Sequence, residues 1–178
     1  SHRWGDGTGI FNYSQEAKNI LKECVHKGEN GNWENLCGIE ENKLIKFIPG
    51  VDLQTPLTIF HIFMNYLHLW ANKEDREFWR QAAQASRTYL HCACHPDTGL
   101  SPEYGEYNGE PHTGHVEQFG RHDWYYSDAY RTIANIGLDT LWFGKDPWQK
   151  EIAQTSRNFT VSSKKATGMV CFLSMEQD

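Results

Sequence analysis

The sequence has no long apolar run and no excess of basic residues. No stretch reaches the roughly 18 apolar residues that a membrane-spanning helix requires. Of its 178 residues, 17 are Lys or Arg and 23 are Asp or Glu, which gives a formal net charge of −6. Because nucleic-acid binding needs a basic face, the composition predicts neither a nucleic-acid nor a membrane partner. The length allows one domain with a sizeable core.

Cysteines are few, and their spacing does not suit a metal site. Cys92-x-Cys94 is closer than the usual pair of zinc ligands. The chain has an odd number of cysteines, which are Cys24, Cys37, Cys92, Cys94 and Cys171. Several histidines crowd one region without the spacing of a helical zinc site: His91, His95, His112, His115 and His122. We predict no metal and no other cofactor. With no charged-then-apolar leader before Trp4, the cysteines indicate free or buried thiols in a reducing cytoplasm.

Strand-like alternation is also missing, whereas helical periodicity recurs in four segments. We predict that Ser14 caps the first helix and Gly28 ends it, that the second begins after residues 73–75, and that Ser127 caps the third. The fourth begins with Asp146 as cap, Pro147 in the first turn and Gln149 at the reciprocal capping position, and runs to about Phe159. The predicted apolar faces are Ala17, Ile20, Leu21, Cys24 and Val25; Phe78, Trp79, Ala82, Ala83, Ser86, Tyr89 and Leu90; and Tyr130, Ile133, Ala134, Gly137, Leu138 and Leu141.

Long loops rich in Gly, Pro, His and aromatic residues join these helices, at 28–55 and 95–126. Such an arrangement is typical of an α/α toroid, in which inner and outer helices alternate around a central cleft. A closed toroid of six helical hairpins needs roughly 300 residues or more. We therefore predict an all-α fold that is a partial (α/α)6 barrel, incomplete in this chain, with function concentrated on the loops.

Asp128 is the best-placed ionisable residue in the sequence. It falls at the first turn of a predicted helix, where free N–H groups stabilise a carboxylate, and Arg131 lies one turn further on. A carboxylate beside Trp124, Tyr125 and Tyr126 suits a general base for glycoside hydrolysis, which also needs a protonated carboxyl across the sugar. The alternative is an Asp that only stabilises its helix.

Two further sets of residues are weaker candidates. Arg3 and Trp4 lie beside two glycines in a turn that suits either sugar binding or a plain surface turn. The glutamates of the long loop offer a general acid, although scattered loop carboxylates are expected to be solvated: Glu103, Glu106, Glu110 and Glu117.

Four motifs stand out along the chain: His2-Arg-Trp-Gly-Asp6, Lys46-Phe-Ile-Pro49, His95-Pro-Asp-Thr-Gly-Leu-Ser-Pro-Glu-Tyr104 and Tyr126-Ser-Asp-Ala-Tyr-Arg131. Together they resemble glycoside hydrolase family 8, and within it the bacterial reducing-end xylose-releasing exo-oligoxylanases. The resemblance covers roughly residues 1–150. It implies an (α/α)6 barrel, an inverting mechanism and removal of one xylose from the reducing end of short xylo-oligosaccharides. It also implies that Asp128 is the general base, with Arg3, Trp4, Trp124, Tyr125, Tyr126 and Arg131 at the substrate.

The chain departs from this family at its beginning and at its end. In the family the general acid is a Glu upstream of the motif at residues 2–6, so we expect residues 1–178 to be the C-terminal portion of one catalytic domain. Without the N-terminal half as partner, loss of general-acid assistance predicts a rate about 10²–10⁴-fold lower. We expect the chain alone to be nearly inactive, and residues 155–178 to be a divergent tail.

The segment from 57 to 70 departs from the family in a different way. The family reads Ser-Tyr-His-Leu-Pro-His-Phe-Tyr-Glu-Leu-Phe-Ala-Leu-Trp there, and removing the first base of one possible coding of it yields residues 57–68 of this chain in order. We interpret this as a compensated pair of frame slips, which would replace the family's Tyr by Thr58. The alternative is divergence into an apolar helix.

Two other functions stay open from the sequence. One is a non-catalytic half-barrel that binds carbohydrate or acts only as a structural partner, because the general acid is not in the chain. The other is an endo-acting family 8 relative, such as an endoxylanase, cellulase or chitosanase.

Overall fold

The computed structural model describes residues 10, 12–26, 42–44, 73–113 and 121–167. Four α-helices occupy these ranges: α1 (Tyr13–His26), α2 (Arg76–Ala93), α3 (Tyr130–Trp142) and α4 (Trp148–Thr167). A 3-10 turn (Ser127–Ala129) leads directly into α3. The described ranges contain no strand, apart from one isolated antiparallel bridge between Gly105 and Pro111. The predicted all-α class is confirmed.

The helix starts agree with the sequence in two cases and differ in two. The prediction that Ser127 caps α3 was wrong, because Ser127 lies inside the 3-10 turn and Ala129 precedes the helix without a side-chain capping bond. Asp75 precedes α2, and Asp146 Oδ1 accepts the Trp148 N–H at 3.1 Å, as predicted. The capping residue of α1 was predicted wrongly, because Asn12 Oδ1 accepts the Gln15 N–H at 3.0 Å while Ser14 lies inside the first turn. Asn12 is two residues upstream and satisfies a helical N–H that would otherwise lack a partner.

Apolar contacts join α1 to α2, and α2 to α3 and α4. The first cluster has Leu21, Trp79, Ala82 and Ala83 as its buried members. The second has Leu90, Cys94, Ile136 and Ile152. Burying an aliphatic side chain of this size contributes about 1.5–3 kcal/mol, so the second cluster fixes α3 against α2. None of the helices in the described ranges has the length and hydropathy to cross a membrane.

The predicted apolar face of α3 was wrong. Leu141 is 77% exposed and Leu138 is 38% exposed, whereas the helix buries Thr132, Asn135, Ile136 and Asp139. The buried face is polar because Asp139 has partners on both neighbouring helices. Sequence periodicity counts apolar residues and does not see those partners.

A buried hydrogen-bond network at Asp139 links α2, α3 and α4. Arg87 donates from Nε and a terminal nitrogen to the two Asp139 carboxylate oxygens, at 2.8 Å each. Gln149 Nε2 donates to Asp139 Oδ2 at 2.6 Å, and Thr140 Oγ1 donates to Gln149 Oε1 at 3.0 Å. Gln149 therefore points into this network and not back to its own helix start, so its predicted capping role was wrong.

Helix α4 is longer than predicted, since it continues past Phe159 to Thr167. The additional turns fall within the predicted divergent tail, residues 155–178, of which the structure describes the part up to 167. Several predictions concern residues outside the described ranges: Arg3, Trp4, Gly28, Cys37, the 57–70 segment, His115, Glu117 and Cys171.

Candidate active site

The long loop between α2 and α3 folds back on itself through backbone hydrogen bonds. The Glu103 N–H donates to the Trp124 carbonyl and the Tyr104 N–H donates to the His122 carbonyl, both at 3.0 Å. In addition, the His112 N–H donates to the Tyr104 carbonyl at 3.0 Å. These bonds hold residues 122–124 alongside residues 103–104, and so fix the backbone that leads into the 3-10 turn and Asp128.

Asp128 lies in the 3-10 turn immediately before α3. Its carboxylate Oδ1 is 2.8 Å from a terminal guanidinium nitrogen of Arg131, and both side chains are a little over two-fifths exposed. Arg131 also donates to the Tyr130 hydroxyl at 3.4 Å, which is the main reason that the pKa of its guanidinium is raised. The structure thus brings Asp128 and Arg131 together at a surface open to solvent.

Ser127, which precedes Asp128, has a backbone conformation that non-glycine residues seldom adopt. Its φ is +46°, in the left-handed region, which costs a residue with a Cβ of the order of 1–3 kcal/mol. Strain of this kind persists where the surrounding structure imposes it, and such sites cluster where function needs a side chain in one place. Here the residue that follows the strained position is the candidate base.

Exposed aromatic rings flank this turn. Trp124 is 57% exposed and Tyr126 is 42% exposed. The Arg121 guanidinium lies 4.7 Å from the centroid of the Trp124 ring and holds Asp123 by two hydrogen bonds, of 2.7 and 2.5 Å. These bonds lower the pKa of Asp123. The Arg121 guanidinium thus packs against the Trp124 ring, and the exposed part of the ring is accessible to a ligand.

Tyr125 points to a different place, a cavity of about 460 Å³ beside the turn. Asp123, His95 and Glu110 also line it, together with three prolines of the loop, and Asp128 does not. The volume is within the range of about 300–1,000 Å³ that is usual for small-molecule sites. The predicted substrate-binding residues that the structure describes are therefore divided between an open surface at Asp128 and this cavity.

The sequence analysis missed a buried acid–imidazole pair. Glu103 Oε2 and His122 Nδ1 are 2.6 Å apart, with side chains 7% and 3% exposed. The expectation that the loop glutamates are solvated is therefore wrong for Glu103. The ring of Tyr104 stacks on His122, with centroids 4.2 Å apart and an interplanar angle of 13°. No local sequence signal could reveal the pair, since its members are 19 residues apart and lie together only because the loop folds back.

The other loop carboxylates and histidines form simpler contacts. Glu106 Oε1 is 2.7 Å from His112 Nδ1, and Glu110 is exposed. The residues that the structure describes contain no group of three potential metal ligands. Cys92 and Cys94 are free thiols, and burial raises the pKa of Cys94 to about 12.

Comparison with characterised proteins reveals extensive similarity over most of the chain. It is 49% identical over 152 residues to a reducing end xylose-releasing exo-oligoxylanase of Halalkalibacterium halodurans, and 46% identical over 161 residues to Rex8A of Paenibacillus barcinonensis. These alignments cover 85% and 88% of this chain but 38% and 40% of the relatives. The chain thus spans about two fifths of their length. No protein-family model matches it.

Solved structures give the same result for the fold. Rex8A of P. barcinonensis in complex with xylose superposes with a TM-score of 0.81 at 45% identity, covering 89% of this chain and 41% of that one. A variant reducing-end-xylose releasing exo-oligoxylanase in complex with xylobiose gives a TM-score of 0.80 at 47% identity, covering 90% and 42%. The resemblance predicted from the motifs is therefore confirmed: the chain is similar in sequence and fold to about two fifths of the reducing-end xylose-releasing exo-oligoxylanases, and its fold is part of an (α/α)6 barrel.

Proposed function

We propose that this chain supplies the base side of the active site of an inverting glycoside hydrolase, which releases xylose from the reducing end of xylo-oligosaccharides. The observation that carries the proposal is the Asp128–Arg131 pair, open to solvent at the start of α3 and flanked by exposed Trp124 and Tyr126. The names of the relatives, aligned over 85–88% of the chain, supply the substrate class.

Asp128 acts as the general base. Arg131 holds its Oδ1 at 2.8 Å, which leaves Oδ2 to accept a proton from the attacking water. That water adds to the anomeric carbon from the face opposite the leaving group, so the configuration at this carbon inverts. A protonated carboxyl gives its proton to the leaving oxygen. In an inverting enzyme this carboxyl lies about 6.5–9.5 Å from the carboxylate that acts as base. We propose that this acid is an upstream Glu in the half of the domain that partners this chain.

The aromatic side chains bind the sugar. Pyranose rings present C–H faces that pack on aromatic rings, while carboxylates and guanidinium groups hydrogen-bond the hydroxyls. Trp124 and Tyr126 offer exposed rings beside the base, and Tyr125 offers one in the adjoining cavity. We propose the same role for Arg3 and Trp4 from their motif, and a xylo-oligosaccharide as the ligand of the whole surface.

We also propose that the protein resides in the bacterial cytoplasm. Cys92 and Cys94 are free thiols. Thiols persist in this form in reducing compartments.

The proposal is tested by measuring xylose release from xylotriose by the intact gene product and by its Asp128→Asn variant. Asn keeps the shape of the side chain but cannot take the proton, so we expect kcat to fall about 10²–10⁴-fold with KM little changed. Asp97→Asn, the same exchange at an exposed residue of the preceding loop, serves as control and retains full activity. Undiminished xylose release by Asp128→Asn would remove Asp128 from the mechanism.

A further inference from the structure

The segment that leads into the 3-10 turn sends its side chains alternately to two places. Asp123 and Tyr125 line the cavity of about 460 Å³, which we call the Tyr125 cavity. Trp124 and Tyr126 do not line it, and they are 57% and 42% exposed at the surface beside Asp128. The Tyr125 cavity and the surface at the base therefore share one segment of the chain but no side chain.

The described wall of the Tyr125 cavity carries negative charge and no cation. Its charged residues are Glu110 and Asp123, and no Lys or Arg lines the part that the structure describes. Arg121 compensates Asp123 through two hydrogen bonds of 2.7 and 2.5 Å, whereas Glu110 is exposed. A bound anion would meet the Glu110 carboxylate with no cation in this wall to offset it, so the wall favours an uncharged ligand.

The rest of the wall suits a molecule that has both an apolar face and hydroxyl groups. Asn108 Oδ1 accepts the Glu110 N–H at 3.0 Å, which leaves the Asn108 NH2 group as a donor. His95 Nδ1 accepts the Asp97 N–H at 3.2 Å, so the proton of its neutral ring is on Nε2, a second donor. The C–H face of a pyranose packs on aromatic and other apolar rings. Such rings line the cavity at Tyr125 and at three prolines: Pro96, Pro102 and Pro111.

Ser101, in the same wall, holds a buried hydroxyl. The residue is 5% exposed, and its Oγ has no hydrogen-bond partner among the described residues. A buried polar group left unpaired costs about 1–3 kcal/mol. Rotation about the Cα–Cβ bond moves Oγ between staggered positions, so a ligand hydroxyl in the cavity offers the partner that the described residues do not supply.

We propose that the Tyr125 cavity is a second carbohydrate site, which binds an uncharged pentose and rejects acidic sugars. Its ligand lies apart from the sugar being cleaved, because neither Asp128 nor Trp124 lines the cavity. This inference deepens the proposed function: the choice of xylose as the pentose rests on it, whereas the neutral, hydroxyl-rich class of ligand rests on the wall alone. Tyr125 therefore contacts a bound sugar without taking part in bond cleavage.

Cys92 is a natural reporter of this site, because its thiol is free and exposed and the residue lines the cavity. The intact gene product is alkylated with iodoacetamide at increasing concentrations of xylose, and the labelled Cys92 peptide is quantified by mass spectrometry. Since only the unliganded protein reacts, we expect the alkylation rate to fall about tenfold when xylose is at about ten times its Kd. Glucuronic acid, which has a similar ring and a carboxylate, is expected to leave the rate unchanged.

Two neighbouring aromatic residues separate the cavity from the catalytic surface. Tyr125→Ala removes the ring in the cavity, and we expect that xylose no longer protects Cys92. Trp124→Ala removes the ring at the open surface, and we expect protection to persist. Because Cys92 also lines a smaller cavity beside His91 and Lys145, the loss in Tyr125→Ala assigns the ligand to the Tyr125 cavity. Circular dichroism confirms that each variant is folded.

Glu110→Gln tests the charge of the wall independently of Tyr125. It keeps the size of an exposed side chain and removes the carboxylate. We expect glucuronic acid to protect Cys92 in this variant, and xylose to protect it as before. In Glu151→Gln, the same exchange at an exposed residue of α4, glucuronic acid stays without effect.

Three results would overturn the inference. An alkylation rate that xylose does not change up to its solubility would exclude the site. Equal protection by glucuronic acid in the native protein would contradict the selection by charge. Loss of protection in Trp124→Ala but not in Tyr125→Ala would place the sugar at the open surface.

Xylose release from xylotriose, measured on the same preparation, keeps this inference distinct from the proposed function. Release without protection of Cys92 would overturn the second site alone. Protection without release supports the second site and would overturn the proposed function alone.

Discussion

The Asp139→Asn exchange tests what holds α3, and with it Asp128, in place. The Asp139 carboxylate accepts two hydrogen bonds from Arg87 and one from Gln149, and the Arg87 and Asp139 side chains are 7% and 4% exposed. Asn removes the negative charge and turns one acceptor into an NH2 group. That group then meets an Arg87 donor in either orientation of the amide, and at the Oδ2 position it also meets Gln149 Nε2, so the loss is both electrostatic and geometric.

The expected cost follows from the burial of the pair. Removing one partner of a buried ion pair leaves an uncompensated charge and costs about 3–5 kcal/mol. The free energy of unfolding of a domain is about 5–15 kcal/mol, so the exchange removes a large share of the stability. In the double variant Arg87→Met/Asp139→Asn the stranded charge is gone, and we expect it to be more stable than Asp139→Asn alone.

Urea unfolding followed by circular dichroism measures these differences. Glu77→Gln is the matched control, because Glu77 pairs with Arg80 on the exposed side of α2, where the side chains are 61% and 62% exposed. Exposed pairs of this kind contribute little, so we expect no measurable change. Should Asp139→Asn prove as harmless as Glu77→Gln, the claim that this buried network positions α3 would be refuted.

Two further predictions concern single residues. Burial raises the pKa of the Cys94 thiol from 9.0 to about 12. Because the folded state retains a proton that the unfolded state loses, the free energy of unfolding falls as the pH rises from about 9 to about 12. Urea titrations at several pH values measure this fall, and we expect Cys94→Ala to flatten it. Gly99 has a φ of +68°, and a Cβ there would lie 2.8 Å from the Ile152 carbonyl oxygen, so Gly99→Ala is expected to cost about 2–4 kcal/mol in the same assay, whereas Gly137→Ala, with open space around it, stabilises α3. A flat alkaline profile in the native protein, or equal effects of the two alanines, would contradict these accounts.

The sequence predicts α2 well because its buried face is set by apolar periodicity. Trp79, Ala82, Ala83 and Leu90 were predicted on one face and are all buried. The start at Asp75 also follows from local chemistry. These are properties of residues within one or two turns of each other, which a sequence displays directly.

The polar face of α3 and the buried Glu103–His122 pair could not be predicted in this way. Asp139 is buried because it pairs with Arg87, which is 52 residues away in sequence but hydrogen-bonds to it at 2.8 Å. Glu103 is buried because the loop folds back to His122. In both cases the apolar pattern favours the opposite assignment, since charged residues are buried only when a distant partner compensates them.

Release of reducing-end-labelled xylose tests the central claim most directly. Xylotriose carrying 13C at its reducing-end anomeric carbon is incubated with the intact gene product and with Asp128→Asn, and the label is followed by NMR. The account predicts that the label appears in free xylose with the native protein, and that the variant forms it about 10²–10⁴-fold more slowly. Label in xylobiose, or equal rates for the two proteins, would contradict it.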